Sequence, residues 1–148
     1  MKPYNAMRLQ FPAISVNEAF ARTAVSAFLM QLDPTVEELT DVKTAVSEAV
    51  TNCIVHAYPD GAGPIYISAA LSQDGRLTVR VRDCGCGIPN VEKAMEPLFT
   101  TGDTDVRSGL GFSVMQSLMD RVRVRSKAGG PTTVKLERRI AGKGERAD

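Results

Sequence analysis

Glu48, Asn52 and His56, the only histidine of the chain, stand four residues apart in the stretch SEAVTNCIVHAY, residues 47–58. On a helix that spacing puts all three on one face. Their neighbours Val46, Ala49, Val50 and Cys53 are apolar and form the stripe that meets a core. The polar stripe is then either a solvated face or the wall of a cleft. An acid in a cleft can take a proton from a hydroxyl or a water. A side-chain amide is a neutral oxygen ligand suited to Mg²⁺, which keeps most of its waters and takes few protein ligands. A lone imidazole near a helix end is read here as packing or capping.

Two glycine-bearing stretches follow. In DCGCGIP, residues 83–89, Asp83 ends an alternating run and Gly85 and Gly87 come next. Taken alone this is a tight turn, which Asp and Gly favour. As a site, Asp83 can accept a hydrogen bond from an exocyclic amine, while the glycines let a flat ring approach the backbone. In SGLGFSV, residues 108–114, Gly109 and Gly111 stand where a loop is expected to become a helix. Free N–H groups at a helix N-terminus make a phosphate site. The spacing is neither a Walker A loop nor a dinucleotide fingerprint; alone it is a cap turn.

The elements that must position these residues are readable from periodicity. MRLQF (7–11) alternates and predicts a strand. Asn17 is the expected cap of a first helix, with Phe20, Ala24, Val25, Phe28 and Leu32 at helical spacing. A second helix is expected from about Thr35, with Glu37 and Glu38 in its first turn, until the loop YPDGAGP at 58–64. IYISAAL (65–71) and LTVRVRD (77–83) predict a hairpin across an Asp-Gly turn. Residues 84–109 read as a long functional loop. A helix over 110–122, with Leu110, Val114, Met115 and Leu118 on one side, and a hairpin of 122–126 with 132–139 complete the order. Strands grouped in hairpins predict an α+β sandwich, helices covering one face of a mostly antiparallel, mixed sheet. One domain is expected over 1–148, with its core at about 7–140 and a frayed, disordered tail at 141–148.

Composition narrows the function. Of 148 residues, 43% are hydrophobic, as in a globular protein. The 18 Lys and Arg against 17 Asp and Glu give no electrostatic case for nucleic acid or an anionic membrane as partner. No apolar run has the length of a bilayer span, and MKPYNAMRLQF lacks the apolar core of a signal peptide. A cytoplasmic protein is expected. Cys53, Cys84 and Cys86 are a poor disulfide framework, and with one histidine they are a poor metal set.

The order E-x-x-x-N on a helix, D-x-G-x-G after a strand, G-x-G at a helix start and a threonine on the last strand resembles the GHKL, or Bergerat, ATP-binding fold. That module serves histidine kinases, type II topoisomerases and small anti-sigma-factor serine kinases. QLDPTVEELTDVKTAVSEAVTNCIVHAY, PLFTT and RSGLGFSVM are most similar to the anti-sigma-F subgroup of sporulating bacteria. The resemblance runs from about Leu9 to Leu136. It implies a serine/threonine kinase that uses ATP and Mg²⁺, with Glu48 as base, Asn52 as Mg²⁺ ligand and Asp83 as reader of the adenine amino group. Gly85 and Gly87 belong to the adenine box. Thr100, Thr101, Gly109, Leu110 and Gly111 fall in the lid and phosphate region, and Thr132 meets adenine. The implied partners are an RNA polymerase sigma factor, held inactive, and an anti-anti-sigma protein phosphorylated on serine. A homodimer is also implied, with MRLQF and the first helix as candidate contacts and Arg22 and Arg107 as candidate partner residues. Departures from the pattern are Pro131 before Thr132, Cys86 within the first glycine box and Ala57 after His56. Alternatives are a kinase of the general stress response, a sigma-binding module without phosphoryl transfer, and an ATPase using water.

Overall fold

The structure is a computed structural model that describes residues 4–96 and 106–142, with backbone alone for 106–110. Strand β1 (Asn5–Pro12) leads to helix α1 (Val16–Leu29), a 3₁₀ turn at Met30–Leu32 and helix α2 (Val36–Asn52), which runs on as a π-helical turn, Cys53–Ala57. The hairpin β2 (Pro64–Leu71) and β3 (Arg76–Asp83) follows, then a short helix α3 (Val91–Ala94), helix α4 (Val106–Leu118), and strands β4 (Arg121–Arg125) and β5 (Thr132–Arg139). The five strands form one sheet in the order β1-β2-β3-β5-β4, and each of its four pairings is antiparallel.

The core lies between one face of this sheet and the helices. Along β2 and β3, Ile65, Ile67, Leu71, Leu77, Val79 and Val81 are buried while alternate residues face outward, the period-2 pattern of a sheet with one dry face. Helix α2 answers with Val42, Val46 and Val50, all fully buried, and α1 and α4 pack against α2 on either side. Arg138 of β5 ties three elements together: it pairs with Asp41 of α2 and donates to the Leu118 carbonyl at the end of α4 (3.1 Å).

Helix α2 begins where its sequence signals it. Thr35 and Glu38 form a reciprocal capping box, each side chain accepting the other's backbone N–H. Glu38 also accepts from the backbone N–H groups of Ala141 (2.6 Å) and Gly142 (3.0 Å). The expected frayed tail therefore starts too early at 141, because a buried carboxylate holds the chain there. Residues 143–148 lie outside the described residues. Burial alone would raise the Glu38 carboxyl, but the backbone donors of Thr35, Ala141 and Gly142 and the Thr35 hydroxyl outweigh it and hold the group below its ordinary value. A lowered folded-state value means the contribution is present above the unfolded-state value and lost as pH falls through the lowered one. Glu38→Gln should cost about 2 kcal/mol near neutrality, from a weakened cap and buried N–H groups left without a partner. Unfolding titrations of the two proteins should converge as the solution is acidified.

Four expectations need correction. Ser15, not Asn17, precedes α1 as its cap, and it makes no side-chain capping bond; the Asn17 amide donates instead to the Pro12 carbonyl (3.0 Å). The buried stripe of α1 is Ala21, Val25 and Leu29, with Leu32 beyond it, while Phe20 is 49% exposed and packs edge-on against Phe11. The stripe with small Ala21 meets α2, and the bulky rings are left to the rim. Finally, α4 begins at Val106 and ends at Leu118, four residues earlier at each end than its periodicity predicts. Gly109 and Gly111 thus lie inside its first two turns. Packing of Phe112, Met115 and Met119 into the core overrides the roughly 1 kcal/mol per glycine that disfavours such a helix. The supposed loop also contains α3, capped by Asn90, whose Oδ1 accepts from Lys93 N (3.0 Å).

Candidate active site

A cavity of about 360 Å³ opens between the end of α2, the facing ends of β3 and β5, the loop after β3 and helix α4. Its polar wall contains Asn52, His56, Asp83, Cys86 and Thr132, and its apolar wall includes Ile88, Ala94, Phe112 and Val134. A largely apolar cavity with few polar groups suits a small aromatic ligand.

Asp83 and Thr132 face each other across the β3–β5 pairing, and both are buried. Asp83 Oδ1 accepts from Gly85 N–H (2.9 Å), and the Cys53 thiol donates to Oδ2 (3.5 Å). Burial pushes the Asp83 carboxyl up, against the pull of Gly85 N–H, the Cys53 thiol and Arg82. Burial and the Asp83 charge push Cys53 well up, so it remains a protonated donor. Thr132 Oγ1 shares a hydrogen bond with Ser126 Oγ (2.6 Å), which in turn accepts from Ile88 N–H (2.8 Å). Pro131 does not displace Thr132 from the cavity wall.

The two glycines of the first box are required by backbone packing. A Cβ at Gly85 would stand 2.1 Å from the Ala57 carbonyl oxygen, the same oxygen that accepts from Cys86 N–H (3.0 Å). Gly87 has φ +76°, and a Cβ there would stand 1.9 Å from the Lys127 carbonyl oxygen. The loop is thus held between the π-helical turn and the β4–β5 connection, where Gly129 N–H donates to the Cys86 carbonyl (2.7 Å). Gly87 lines the cavity; Gly85 supports it from behind. Ala57 fits this junction, and Tyr58 reinforces it, accepting from Cys84 N–H (2.7 Å) and donating to the Pro64 carbonyl (2.6 Å).

Glu48 and Asn52 converge on Gly111 of α4. A Cβ at Gly111 would lie 3.3 Å from Asn52 Nδ2, 3.4 Å from its Oδ1 and 3.4 Å from Glu48 Oε2. Among the described residues the buried Asn52 Nδ2 has no hydrogen-bond partner, which marks a place for a polar ligand group. Among the described residues no three His, Cys, Asp or Glu side chains gather as a metal site. A hard cation here would rest on the Asn52 amide and on ligand oxygens, the pattern expected of Mg²⁺ with phosphates.

Thr100 and Thr101 lie outside the described residues. Gly109 and Leu110 are in the first turns of α4 with Arg107, where only the backbone is described. Arg22 is elsewhere: it pairs with Glu18 (2.8 Å) and borders a separate shallow depression with Thr40, Lys43, Thr44 and Ser47. Sequence reasoning left His56 without a role and read Cys53 as core alone. Both line the cavity from the π-helical turn that continues α2, and no residue pattern announced that turn.

Residues 11–137 match the model of the histidine kinase-like ATPase domain family. The anti-sigma F factor of Caldanaerobacter subterraneus subsp. tengcongensis is 53% identical over 140 residues, covering 95% of this chain and 97% of its own. That of Priestia megaterium is 49% identical over 137 residues, covering 92% and 93%. This chain belongs to the anti-sigma F factor family. The family fold is also found in solved structures of low identity. The RsbU and RsbW domains of a Mycobacterium tuberculosis protein align with a TM-score of 0.69 at 20% identity, over 99% of this chain and 35% of that one. A chain of the SiaB–SiaC complex from Pseudomonas aeruginosa aligns with a TM-score of 0.64 at 13% identity, over 88% of both. The GHKL expectation therefore holds for the fold and for the family. No helix among the described residues is long and apolar enough to cross a membrane.

Proposed function

We propose that this anti-sigma F family member is a cytoplasmic protein that inhibits a sporulation sigma factor and phosphorylates an anti-anti-sigma protein on serine. One observation carries the kinase reading: Glu48, Asn52 and Gly111 meet beside a cavity that Asp83 and Thr132 also line. The residues fit Mg-ATP. Asp83 supplies a buried acceptor for the adenine amino group, with Thr132 opposite it. The Asn52 amide offers an oxygen to Mg²⁺ and a donor to a phosphate oxygen. Gly111 leaves room for phosphates beside the acid, with Gly109, Leu110, Thr100 and Thr101 as further phosphate or lid residues. ATP supplies the transferable phosphoryl group, and Mg²⁺ neutralises the charge on it. Glu48 takes the proton of the incoming serine hydroxyl. Water exclusion and backbone N–H groups do the remaining work of positioning.

Homodimer formation through β1 and α1 is part of this reading, as is partner contact by Arg22 and Arg107. Tyr4, Ile14, Val16, Phe20 and Met30 are exposed on or beside β1 and α1, which supports an interface there. The deciding experiment mixes the protein with Mg-ATP and a candidate anti-anti-sigma protein and searches for phosphoserine by mass spectrometry. Sigma capture without phosphoserine would instead establish a non-catalytic sigma-binding module.

The Asp83 environment makes a further expectation. An ionised carboxylate accepts from the adenine amino group more strongly than the neutral acid does, so binding should weaken as pH falls through the raised Asp83 value. Cys53→Ala removes a donor to that carboxylate, and the loss should then begin at higher pH. Cys53→Ser restores a donor and should return the profile to that of the parent protein. Fluorescent ATP titrations from neutral pH down into the ordinary carboxylate range test this, and identical profiles for all three proteins would remove Cys53 from the site.

A further inference from the structure

The near-neutral total charge conceals a segregated one. Strand register places Arg8, Ser68, Arg80, Lys135 and Arg123 side by side across all five strands, on the sheet face away from the helices. The neighbouring line is Gln10, Tyr66, Arg82, Thr133 and Arg125. With Arg76, Arg121 and Arg139, this face holds nine of the chain's 18 cationic side chains. Its one carboxylate within the strands is Glu137, already paired with Lys135 (2.9 Å) and Arg76 (3.6 Å). Asp74 and Asp120 lie only at the turns at one end of it. Arg8, Arg80, Arg82, Arg123 and Arg125 are exposed and make no ion pair among the described residues.

This arrangement is unfavourable for folding. Arg80 stands directly opposite Lys135, and Lys135 directly opposite Arg123; like charges in such cross-strand positions are destabilising. Cations on β4 would serve to protect a free sheet edge, but β3 and β5 are interior strands, where that purpose is absent. We propose that the outer face of the sheet is a docking surface for a nucleic-acid duplex, contacted through its phosphates and without sequence preference.

The chemistry of the face selects this occupant. Eight of the nine cations are arginines, whose planar forks match phosphate oxygens. A protein partner would need an apolar centre to bury, and a membrane would need apolar side chains to insert. Within the strands Tyr66 is the single aromatic ring of this face, and Tyr4, at the continuation of β1 beyond its end, is the one exposed large apolar residue of the same parity. One ring is also too few for the stacking platform of a single strand. At about 4.8 Å between strands, the five-residue line extends about 19 Å. Among the described residues no helix or ribbon projects from it into a groove, so the contact is with backbone rather than base edges.

The test is fluorescence anisotropy with a labelled duplex of arbitrary sequence. Four neutralised phosphates predict a loss of affinity of about 100-fold between about 50 and 200 mM salt. The double variant Arg80→Glu/Arg123→Glu should lose at least about tenfold in affinity at low salt, yet its thermal midpoint should stay or rise, because each new acid faces Lys135. If that variant fails to fold, Arg82→Gln/Arg125→Gln takes its place with the same expected loss of binding. No duplex binding at low salt would overturn the proposal. So would undiminished binding by a folded variant, or tighter binding to phosphatidylserine vesicles or polyglutamate than to duplex.

Discussion

Glu48→Gln should leave ATP affinity within about twofold of the parent protein and cut phosphoryl transfer by about 10³. The amide occupies the same volume beside Asn52 and Gly111, so the pocket keeps its shape. It cannot accept the serine proton at any accessible pH. A thousandfold loss corresponds to about 4 kcal/mol of transition-state stabilisation, within the range of a general base. Removing an electrostatic bystander would cost far less and would respond to salt. The measurement is single-turnover transfer of labelled phosphate to the anti-anti-sigma protein, with nucleotide affinity determined separately by calorimetry. Undiminished transfer by the variant would remove Glu48 from the base role. A parallel loss of ATP binding would make it a binding residue instead.

Asp83→Asn should exchange the nucleobase preference of the cavity. The Asp83 oxygen facing Gly85 N–H can be kept by the Asn carbonyl. The amide nitrogen then takes the place of Oδ2, where the carboxylate now accepts from Cys53. A donor would stand where the adenine amino group also donates, and neither finds an acceptor. Losing a hydrogen bond to a charged acceptor, with donors left unpaired, costs about 2–3 kcal/mol, about 30- to 150-fold in affinity. An inosine nucleotide, which presents a carbonyl oxygen at the same ring position, should bind the variant better than ATP does. Calorimetric titration of both nucleotides into both proteins reads the exchange directly, and unchanged ATP affinity in the variant would place the nucleobase elsewhere.

Local rules carried much of this structure. The Asp-Gly hairpin and the alternation in IYISAAL and LTVRVRD each specify an element through short-range geometry, and each is present as expected; α2 also starts near Thr35 as expected, while its capping box with Glu38 is a finding of the structure. The E-x-x-x-N spacing put Glu48 and Asn52 on one helix face because the helical repeat allows nothing else. The bounds of α4 were not legible in the same way: its two glycines read as the turn where a loop becomes a helix, and only the burial of Phe112, Met115 and Met119 explains a helix that runs through them. The stripe of α1 was ambiguous too, since residues spaced by four begin equally well at Phe20 or Ala21.

By itself, then, the sequence determined the order of elements, the family and the residue types of the candidate site. Tertiary structure decided what those residues touch. Gly85 is glycine because the Ala57 carbonyl presses against it, and Gly87 because Lys127 does. Cys53 became a donor to Asp83, residues 30 apart in the chain. His56 lines the cavity wall from a π-helical turn, which no residue pattern announced. Strand register gathered nine scattered cations onto one face. Composition adds charges without regard to place, whereas a sheet sorts them by parity and pairing, and only the folded chain carries that information.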